Sequence, residues 1–240
     1  MKILPVSDLH FEFHRDYGRF LTESVLSKDI DLLIVAGDLC SSSILKESIK
    51  LLADNFPKVV YVLGNHEYYN STLEKVHSIV EEASVKYNNF HWLNNNKITI
   101  NNITFAGTTL WFKKPPKNIS RDMLNDFKLI KHFGTWVYEE NAKAINFLSQ
   151  EVNVNDIVLT HMLPTYYSIN EIYKGSPLNH FFLCDVEDII KEKQPKYWFH
   201  GHTHCSCNYN INNCNIICNP FGYLRMEENP KFNPNLILEI

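Results

Sequence analysis

The sequence has no long apolar run, which bears on where the protein acts. No stretch of its 240 residues approaches the ~18 consecutive apolar residues that span a bilayer. The N-terminal segment MKILPVSDLH becomes charged after a few apolar residues and lacks the length of a secretory signal peptide. We therefore expect a soluble, cytoplasmic protein without a membrane partner.

A strong net charge of either sign is also missing. The 23 basic and 27 acidic residues leave a formal charge of −4, so the whole molecule gives no electrostatic reason to bind nucleic acid. Residues 113–117 permit a local basic patch that recruits phosphate, although a solvated loop is the favoured interpretation there. Internal repeats and linker-like segments are absent as well. A single domain over residues 1–240 is predicted, and the sequence leaves its oligomeric state open.

Cysteine is too sparse for a secreted disulfide scaffold, because only six occur in the chain. We expect reduced thiols. Four of the six fall in one short stretch, at Cys205, Cys207, Cys214 and Cys218. This spacing permits a zinc cluster, although it differs from the Cys-x-x-Cys pattern of zinc knuckles. The favoured alternative places the first two on one face of a strand and the last two on one face of its partner, as small apolar fillers.

Short apolar runs alternate with longer segments of helical periodicity, a pattern typical of an α/β fold. Continuous apolar runs suit strands that are buried on both faces. The predicted strands cover Ile3–Val6, Leu32–Ala36, Val59–Leu63, Ile157–Leu159 and Tyr197–Phe199. The predicted helices cover Ser42–Asn55, Ser71–Lys86, Tyr138–Gln150 and Asp185–Lys193, with Ser71 and Glu74 as a capping box. The pairs Asn101–Asn102 and Asn212–Asn213 predict two hairpin turns.

Polar clusters follow each of the five predicted strands. In chain order they are Asp8 with His10, Asp38, Asn65 with His66 and Glu67, His161, and His202 with His204. Ligand sites in open α/β sheets form at the carboxyl ends of the strands, so these clusters should converge. A chain of this composition would contain Gly-His-x-His about 0.02 times and Gly-Asn-His-[Asp/Glu] about 0.005 times by chance. Accident is therefore a poor explanation.

The converging donors are carboxylates, a carboxamide oxygen and imidazoles, with no thiolate among them. Such a set suits manganese, iron or zinc rather than a structural zinc built on sulfur. Seven side chains are too many for one ion with open positions, whereas a bridging Asp38 would divide them into two sets of four. Two cations ~3.5–4 Å apart acidify a bridging water and clamp both the attacking and the leaving oxygens of a displacement at phosphorus. We expect two divalent metal ions, manganese first, with iron or zinc as alternatives.

The ordered motifs resemble those of the calcineurin-like metallophosphoesterases. They are Asp8-x-His10, Gly37-Asp38, Gly64-Asn65-His66-Glu67, His161 and Gly201-His202-x-His204. Softer similarities at residues 125–127 and 219–223 point to the small bacterial and phage members. The resemblance implies an α/β fold, a four-layer αββα sandwich of two mixed β-sheets flanked by helices. It also implies one metal held by Asp8, His10, Asp38 and His204, and a second held by Asp38, Asn65, His161 and His202.

The same resemblance keeps His66 off the metals and assigns it to catalysis. It would act as a general acid on the leaving oxygen or stabilise charge in the transition state. Glu67 is expected behind the ligands, and His200 behind them or in the core. Candidate phosphate clamps are Arg15, Arg121 and Arg225.

The expected function is that of an enzyme, a dinuclear metal-dependent hydrolase of phosphodiesters or phosphomonoesters. Diesters are slightly favoured, with a nucleotide or cyclic nucleotide as a candidate substrate. The alternative is a catalytically weak protein of the same fold that acts as a protein-interaction scaffold. The complete ligand set together with His66 favours the enzyme.

Overall fold

The computed structural model describes residues 1–26 and 28–240, and these form thirteen strands and six α-helices. The strands are β1 (Lys2–Val6), β2 (Leu32–Ala36), β3 (Val59–Val62), β4 (Phe90–Trp92), β5 (Asn96–Ile100), β6 (Ile103–Gly107), β7 (Ile157–Leu159), β8 (Tyr197–His200), β9 (Cys207–Ile211), β10 (Cys214–Cys218), β11 (Gly222–Tyr223), β12 (Glu227–Glu228) and β13 (Leu238–Glu239). The helices are α1 (Leu45–Asn55), α2 (Leu73–Lys86), α3 (Asp126–Leu129), α4 (Phe133–Glu151), α5 (Asn179–Phe182) and α6 (Glu187–Lys193).

Eleven of the strands make up two mixed sheets. The first has the order β13-β1-β2-β3-β4, in which only β13 is antiparallel to its neighbour. The second has the order β5-β6-β7-β8-β10-β9, with a parallel centre and an antiparallel hairpin at each edge. The strands β11 and β12 pair only with each other.

Alternate residues of each central strand enter different apolar layers. In β2, Leu32 and Ile34 join a cluster that also contains Val60, Phe105 and Leu159, and so draws on both sheets. Their neighbours Leu33 and Val35 belong instead to the larger cluster that contains the buried faces of the helices. Because successive side chains of a strand point to opposite faces, this division means that the sheets pack face to face and carry helices outside. The predicted αββα sandwich of two mixed sheets is confirmed.

The predicted helices form with shifted ends. The first helix begins at Leu45, because residues 42–44 form a tighter 3₁₀ turn. The capping box on Ser71 was wrong by one residue: Thr72 caps α2 by accepting a hydrogen bond from the Lys75 backbone N–H over 3.3 Å. The helix predicted from Tyr138 is α4, which begins earlier, at Phe133. The helix predicted from Asp185 is α6, which begins later, at Glu187. Nineteen-residue α4 is the longest of the six.

Both predicted hairpin turns form. Asn101 and Asn102 adopt left-handed backbone angles, with φ of 50° and 64°, and join β5 to β6. Asn212 does the same with φ of 50° between β9 and β10. In the residues that the structure describes, no helix is both long and apolar enough to cross a membrane.

Candidate metal centre

All seven predicted metal ligands come together where five strands of the two sheets end. Asp8 and His10 follow β1, Asp38 follows β2 and Asn65 follows β3 in the first sheet. His161 follows β7, and His202 and His204 follow β8 in the second. The polar clusters therefore converge across the gap between the sheets. Asp8, His10 and His161 have no exposed surface, and Asp38 is 1% exposed.

One set of donors gathers around His204. Its Nε2 atom lies 3.0 Å from Nε2 of His10 and 3.6 Å from Oδ1 of Asp8. The two carboxylate oxygens of Asp8 accept hydrogen bonds from the backbone N–H of His202 over 2.9 and 3.1 Å. The loop after β8 thus holds the carboxylate that follows β1.

A second set gathers around His161. Its Nε2 atom lies 3.1 Å from the Asn65 side-chain oxygen and 3.2 Å from Nδ1 of His202. The other ring nitrogen, Nδ1, lies 2.9 Å from the Ala36 carbonyl oxygen. A carbonyl oxygen can only accept a hydrogen bond, so Nδ1 must be the donor. This contact places a proton on Nδ1 and turns Nε2 toward Asn65 and His202, so that Nε2 offers them its lone pair whenever it is unprotonated.

Asp38 joins the two sets through a single oxygen. Its Oδ2 lies 3.8 Å from His10 Nε2 and 3.4 Å from His161 Nε2. The other oxygen, Oδ1, accepts a hydrogen bond from the backbone N–H of His66 over 2.9 Å. The carboxylate is therefore fixed with one oxygen directed to both histidines.

The donor set fits divalent cations. Carboxylate oxygens, an amide oxygen and facing imidazole nitrogens converge in a buried volume, and in the part of the chain described here no lysine or arginine pairs with Asp8 or Asp38. Groups of three potential ligand atoms lie within 4.8 Å of one another in Asp8-His10-His204 and in Asp38-His161-His202. Although burial opposes ionisation, the charge of His161 holds the pKa of Asp38 well below its usual range. Buried electron-pair donors this close together are stabilised by a cation bound between them.

Local backbone geometry aims these side chains. Five of the seven residues adopt left-handed backbone angles: Asp8 (φ 53°), His10 (46°), Asp38 (53°), His202 (69°) and His204 (49°). Such angles reverse the chain just past the strand and cost a residue other than glycine roughly 1–3 kcal/mol each. Gly64 permits the closest approach, since a Cβ atom there would lie 2.1 Å from Asp38 Oδ1. Strain at ligand positions is typical of functional sites.

Glu67 lies beneath the two loops of the first sheet. Its carboxylate accepts hydrogen bonds from the backbone N–H groups of Leu39 (2.7 Å), Gly64 (2.7 Å) and Asp38 (3.3 Å), and from the Tyr61 hydroxyl (2.6 Å). Burial and the charge of Asp38 raise its pKa to about 7. Glu67 thus connects the loop that carries Asp38 to the loop that carries Asn65, in keeping with its expected place behind the ligands.

His200 faces away from the centre. Its Nε2 atom lies 2.8 Å from the Ser168 hydroxyl and 3.4 Å from the Cys207 sulfur, and Nδ1 lies 3.1 Å from the Gly201 carbonyl oxygen. Its side chain is 1% exposed. Of its two expected places, the structure favours the core.

His66 lies between two partners that the sequence did not reveal. Its Nδ1 is 2.8 Å from Oε1 of Glu12, and its Nε2 is 3.0 Å from the Tyr223 hydroxyl. Burial opposes protonation, but the charge of Asp38 and the hydrogen bond to Glu12 outweigh it and raise the pKa of His66 to about 9. His66 is also close enough to His10 and Asp38 to complete a third group of potential ligands. Its two ring nitrogens contact Glu12 and Tyr223, neither of which is a predicted ligand, in keeping with the expected role off the metals.

Asn65 is held by a second pair of residues that sequence reasoning missed. Its amide nitrogen donates to Asp126 Oδ1 and to the Tyr69 hydroxyl, both over 3.1 Å, and that hydroxyl donates to the same Asp126 oxygen over 2.8 Å. Burial raises the pKa of Asp126 to about 6. The only sequence signal was its position in the softer similarity at residues 125–127.

The remaining candidates lie elsewhere. A cavity opens onto the centre, and Arg15, Arg121 and Arg225 are absent from its lining, so their expected role as clamps finds no support. Arg121 instead lies over the rings of Phe127 and Tyr138, 5.4 Å from each centroid. Lys113 and Lys114 line a separate cavity with Lys174.

The cysteine stretch forms a hairpin. Cys207 pairs with Cys218 across β9 and β10, and Cys205 precedes the strand in which it was expected. Over residues 1–26 and 28–240, no group of three or more converging ligand atoms includes a cysteine. The thiol cluster therefore finds no geometric support, and all six cysteines are free.

Comparison with known proteins agrees with the site. A family model described as calcineurin-like phosphoesterase matches residues 1–206. An uncharacterized protein of Acanthamoeba polyphaga mimivirus is 27% identical over the whole chain and 97% of its own length. An uncharacterized metallophosphoesterase of Helicobacter pylori (strain ATCC 700392 / 26695) is 29% identical over 51% of the chain, which spans about a third (33%) of that protein.

Solved structures share the fold at low identity. The phosphopantetheinyl hydrolase (PptH) of Mycobacterium tuberculosis superposes with a TM-score of 0.75 at 17% identity, covering 93% of this chain and 90% of that one. The TT1561 protein of Thermus thermophilus gives a TM-score of 0.56 at 14% identity, over 91% and 88% of the two chains. At these identities the likeness concerns the fold alone.

Proposed function

The chain belongs to the calcineurin-like phosphoesterases, and from that premise we propose that it hydrolyses a phosphodiester at a centre of two divalent metal ions. The observation that carries the proposal is the position of Asp38 Oδ2, 3.8 Å from His10 Nε2 and 3.4 Å from His161 Nε2. One oxygen facing two sets of donors is the geometry of a bridging ligand. A single-ion site would leave one set without a cation.

The seven side chains would divide around that shared carboxylate. Asp8, His10 and His204 would complete one site, and Asn65, His161 and His202 the other. Nitrogen and oxygen donors without sulfur favour manganese, with iron or zinc as alternatives. Two such cations supply Lewis acidity at the phosphoryl oxygen and lower the pKa of a bound water.

His66 would serve the leaving group. Glu12 bonds Nδ1 and so directs Nε2 toward the Tyr223 hydroxyl at the cavity wall. An imidazole held in this way can donate its Nε2 proton to a departing oxygen, with Glu12 stabilising the ring from behind. The Tyr223 hydroxyl lies where that oxygen would have to bind. The tyrosine side chain would therefore swing aside, or its hydroxyl would relay the proton.

A diester is favoured over a monoester by the charge of the cavity. Within the described chain, no lysine or arginine lines the cavity next to the ligands. Beyond the metals and the imidazole of His66, the described lining would offer a monoester dianion no cationic side chain, whereas a diester carries one negative charge less. The proposed substrate is a monoanionic phosphodiester.

Hydrolysis of two chromogenic esters tests the proposal. We expect the manganese-loaded protein to turn over bis-p-nitrophenyl phosphate with a higher kcat/KM than p-nitrophenyl phosphate. Faster turnover of the monoester would contradict the preference for diesters. No turnover of either ester, with two metal equivalents bound, would reject the enzyme in favour of a scaffold. Elemental analysis of the same sample gives the metal content.

A further inference from the structure

The cavity that opens onto the predicted ligands has a wall with no part in metal binding. Its volume is about 350 Å³, and its lining includes Asp38, Asn65, His66, His202 and His204. This volume is at the small end of the range for ligand pockets. Whatever is attached to the reacting phosphorus must extend along this cavity or into solvent.

The far wall of the cavity is apolar. Leu163 and Ile169 belong to a small hydrophobic cluster that is separate from both cores of the sandwich. The Phe182 ring lies 4.3 Å from the ring of His202, so this wall directly adjoins the predicted ligands. Leu178 and the half-exposed Met123 continue it toward the opening. These side chains favour apolar surface and offer no charge to a ligand. The polar groups beside them, Asn170, Ser176 and Asn179, are uncharged.

The charges on the cavity surface point the same way. Apart from the imidazoles at the metal centre, of which His66 is readily protonated, the ionisable residues that line the cavity in the described chain are acidic: Asp38, Asp126 and Glu227. Among the described residues, no lysine or arginine lines it. A second phosphate or a carboxylate in this cavity would be desolvated without a partner, which is costly. The two observations, an apolar wall and a described lining without lysine or arginine, are independent.

We infer that the cavity takes an uncharged, apolar organic substituent of the phosphoester, of about the size of one aromatic ring. The inference rests on the proposed function, because it assumes that the phosphoryl group binds at the metal centre. It disfavours polyphosphorylated nucleotides and nucleic-acid strands, whose additional phosphates would meet acidic groups and no lysine or arginine in the described lining. The substrate class is that of phosphodiesters with one small aryl or alkyl arm.

Binding of phosphonates by calorimetry tests this inference without requiring turnover. The manganese-loaded chain is titrated with methylphosphonate, phenylphosphonate and 4-carboxyphenylphosphonate, which share the metal-binding group and differ in the arm. We expect phenylphosphonate to bind at least about tenfold more tightly than methylphosphonate, since filling an apolar pocket is worth that much or more. The added carboxylate should remove this advantage.

Two matched variants locate the effect. Met123 lines the cavity and is 43% exposed, so Met123→Glu should fold and should reduce the phenyl advantage at least about threefold. Met226 is 65% exposed and outside the lining, so Met226→Glu should leave the phenyl advantage unchanged.

The outcomes separate the two proposals. Equal affinity for the three phosphonates, or equal effects of the two variants, would overturn the inference and leave the metal-dependent hydrolase standing. If no phosphonate binds although two manganese equivalents are present, the proposed function itself fails, and the inference fails with it.

Discussion

The side-chain nitrogen of Asn65 donates a hydrogen bond to Asp126 Oδ1 over 3.1 Å, and this contact decides which end of the amide faces the metal centre. A carboxylate accepts only from the nitrogen, so the amide oxygen is turned toward His161. Asp126 lies outside every metal-binding motif and is 1% exposed. It bonds directly to one predicted ligand, Asn65, and to the Tyr69 hydroxyl that bonds the same amide.

The first prediction follows from that contact. Asp126→Ala should lower the affinity for one of the two manganese ions by roughly 10–100-fold, because the Asn65 amide would be free to rotate. Asp126→Asn should retain most of the affinity, since its side-chain oxygen can still accept the bond. Calorimetric titration with manganese measures both. Equal weakening of the two ions in the alanine variant would contradict a role confined to Asn65.

The second prediction concerns the shared ligand. Asp38→Asn should lower the affinity for both metal ions, each by at least about tenfold, because a neutral carboxamide bridges two cations poorly. Asp156→Asn is the matched control: that carboxylate is also buried, but it accepts a bond from the Asn153 backbone away from the centre. The control should bind two ions as the parent does. One tightly held ion in Asp38→Asn would show that the residue serves a single site.

The third prediction separates His66 from the ligands. His66→Ala should retain both ions and lose about 10²–10⁴-fold in kcat. The loss should be large for an alkoxide leaving group, which needs a proton, and smaller for p-nitrophenolate, which departs as an anion. His77→Ala, which removes an imidazole bonded to Tyr68 rather than to the centre, should leave kcat within a few fold.

Two results would count against this assignment of His66. An equal loss for all leaving groups would indicate stabilisation of transition-state charge instead. Loss of one metal equivalent would make His66 a ligand and would release one of the seven named donors.

The fourth prediction tests Glu12 as a positioning residue for His66. Glu12→Gln should lower kcat about 10–100-fold with both ions retained, because the neutral amide orients the ring less firmly. Its effect should follow the same dependence on the leaving group as His66→Ala, and the two variants together should lose little more than His66→Ala alone. Glu23→Gln, at an exposed carboxylate paired with Arg19, is the control. Additive losses would show that Glu12 acts independently of His66.

The fifth prediction concerns the cysteines near the last motif. Cys205→Ser and Cys207→Ser should each keep two manganese equivalents, since neither thiol joins a group of converging ligands. Elemental analysis after removal of loosely bound metal provides the measurement. A missing equivalent in either variant would revive the thiol-ligand interpretation.

Sequence patterns predicted the strands and helices whose apolar residues form a continuous or periodic pattern. Continuous apolar runs marked five strands correctly, because strands buried on both faces have no polar residues to interrupt them. The edge strand β4 and the terminal strand β13 escaped notice, since three residues in one and two in the other carry no periodic signal. Helix starts were off by up to five residues: Phe133 begins α4 where Tyr138 was expected, in a stretch of mixed aromatic residues with no polar cap.

The candidate site likewise contains residues that the sequence identified and residues that it did not. Its ligands were visible because they follow strands in short motifs of rare residues, and chain order alone brings strand ends together. Glu12, Tyr223 and Asp126 were not, because each lies in a very short element whose position the sequence does not specify: a 3₁₀ turn, the two-residue strand β11 and the four-residue helix α3. Asp126 and Tyr223 fell within the softer similarities at residues 125–127 and 219–223, but no role was assigned to them. Glu12 lies two residues beyond His10, yet the left-handed backbone angle at His10 has no sequence signature.

Five predicted metal ligands have left-handed backbone angles, so the residues that would bind metal also lower the stability of the metal-free fold. Glycine at any of them would relieve local strain and remove a donor in the same step. Changes that stabilise the metal-free chain are therefore, at these positions, changes that disable it. The region around the strand ends is a place where thermal stability and activity trade off directly, whereas the apolar layers between and outside the sheets are free of that conflict.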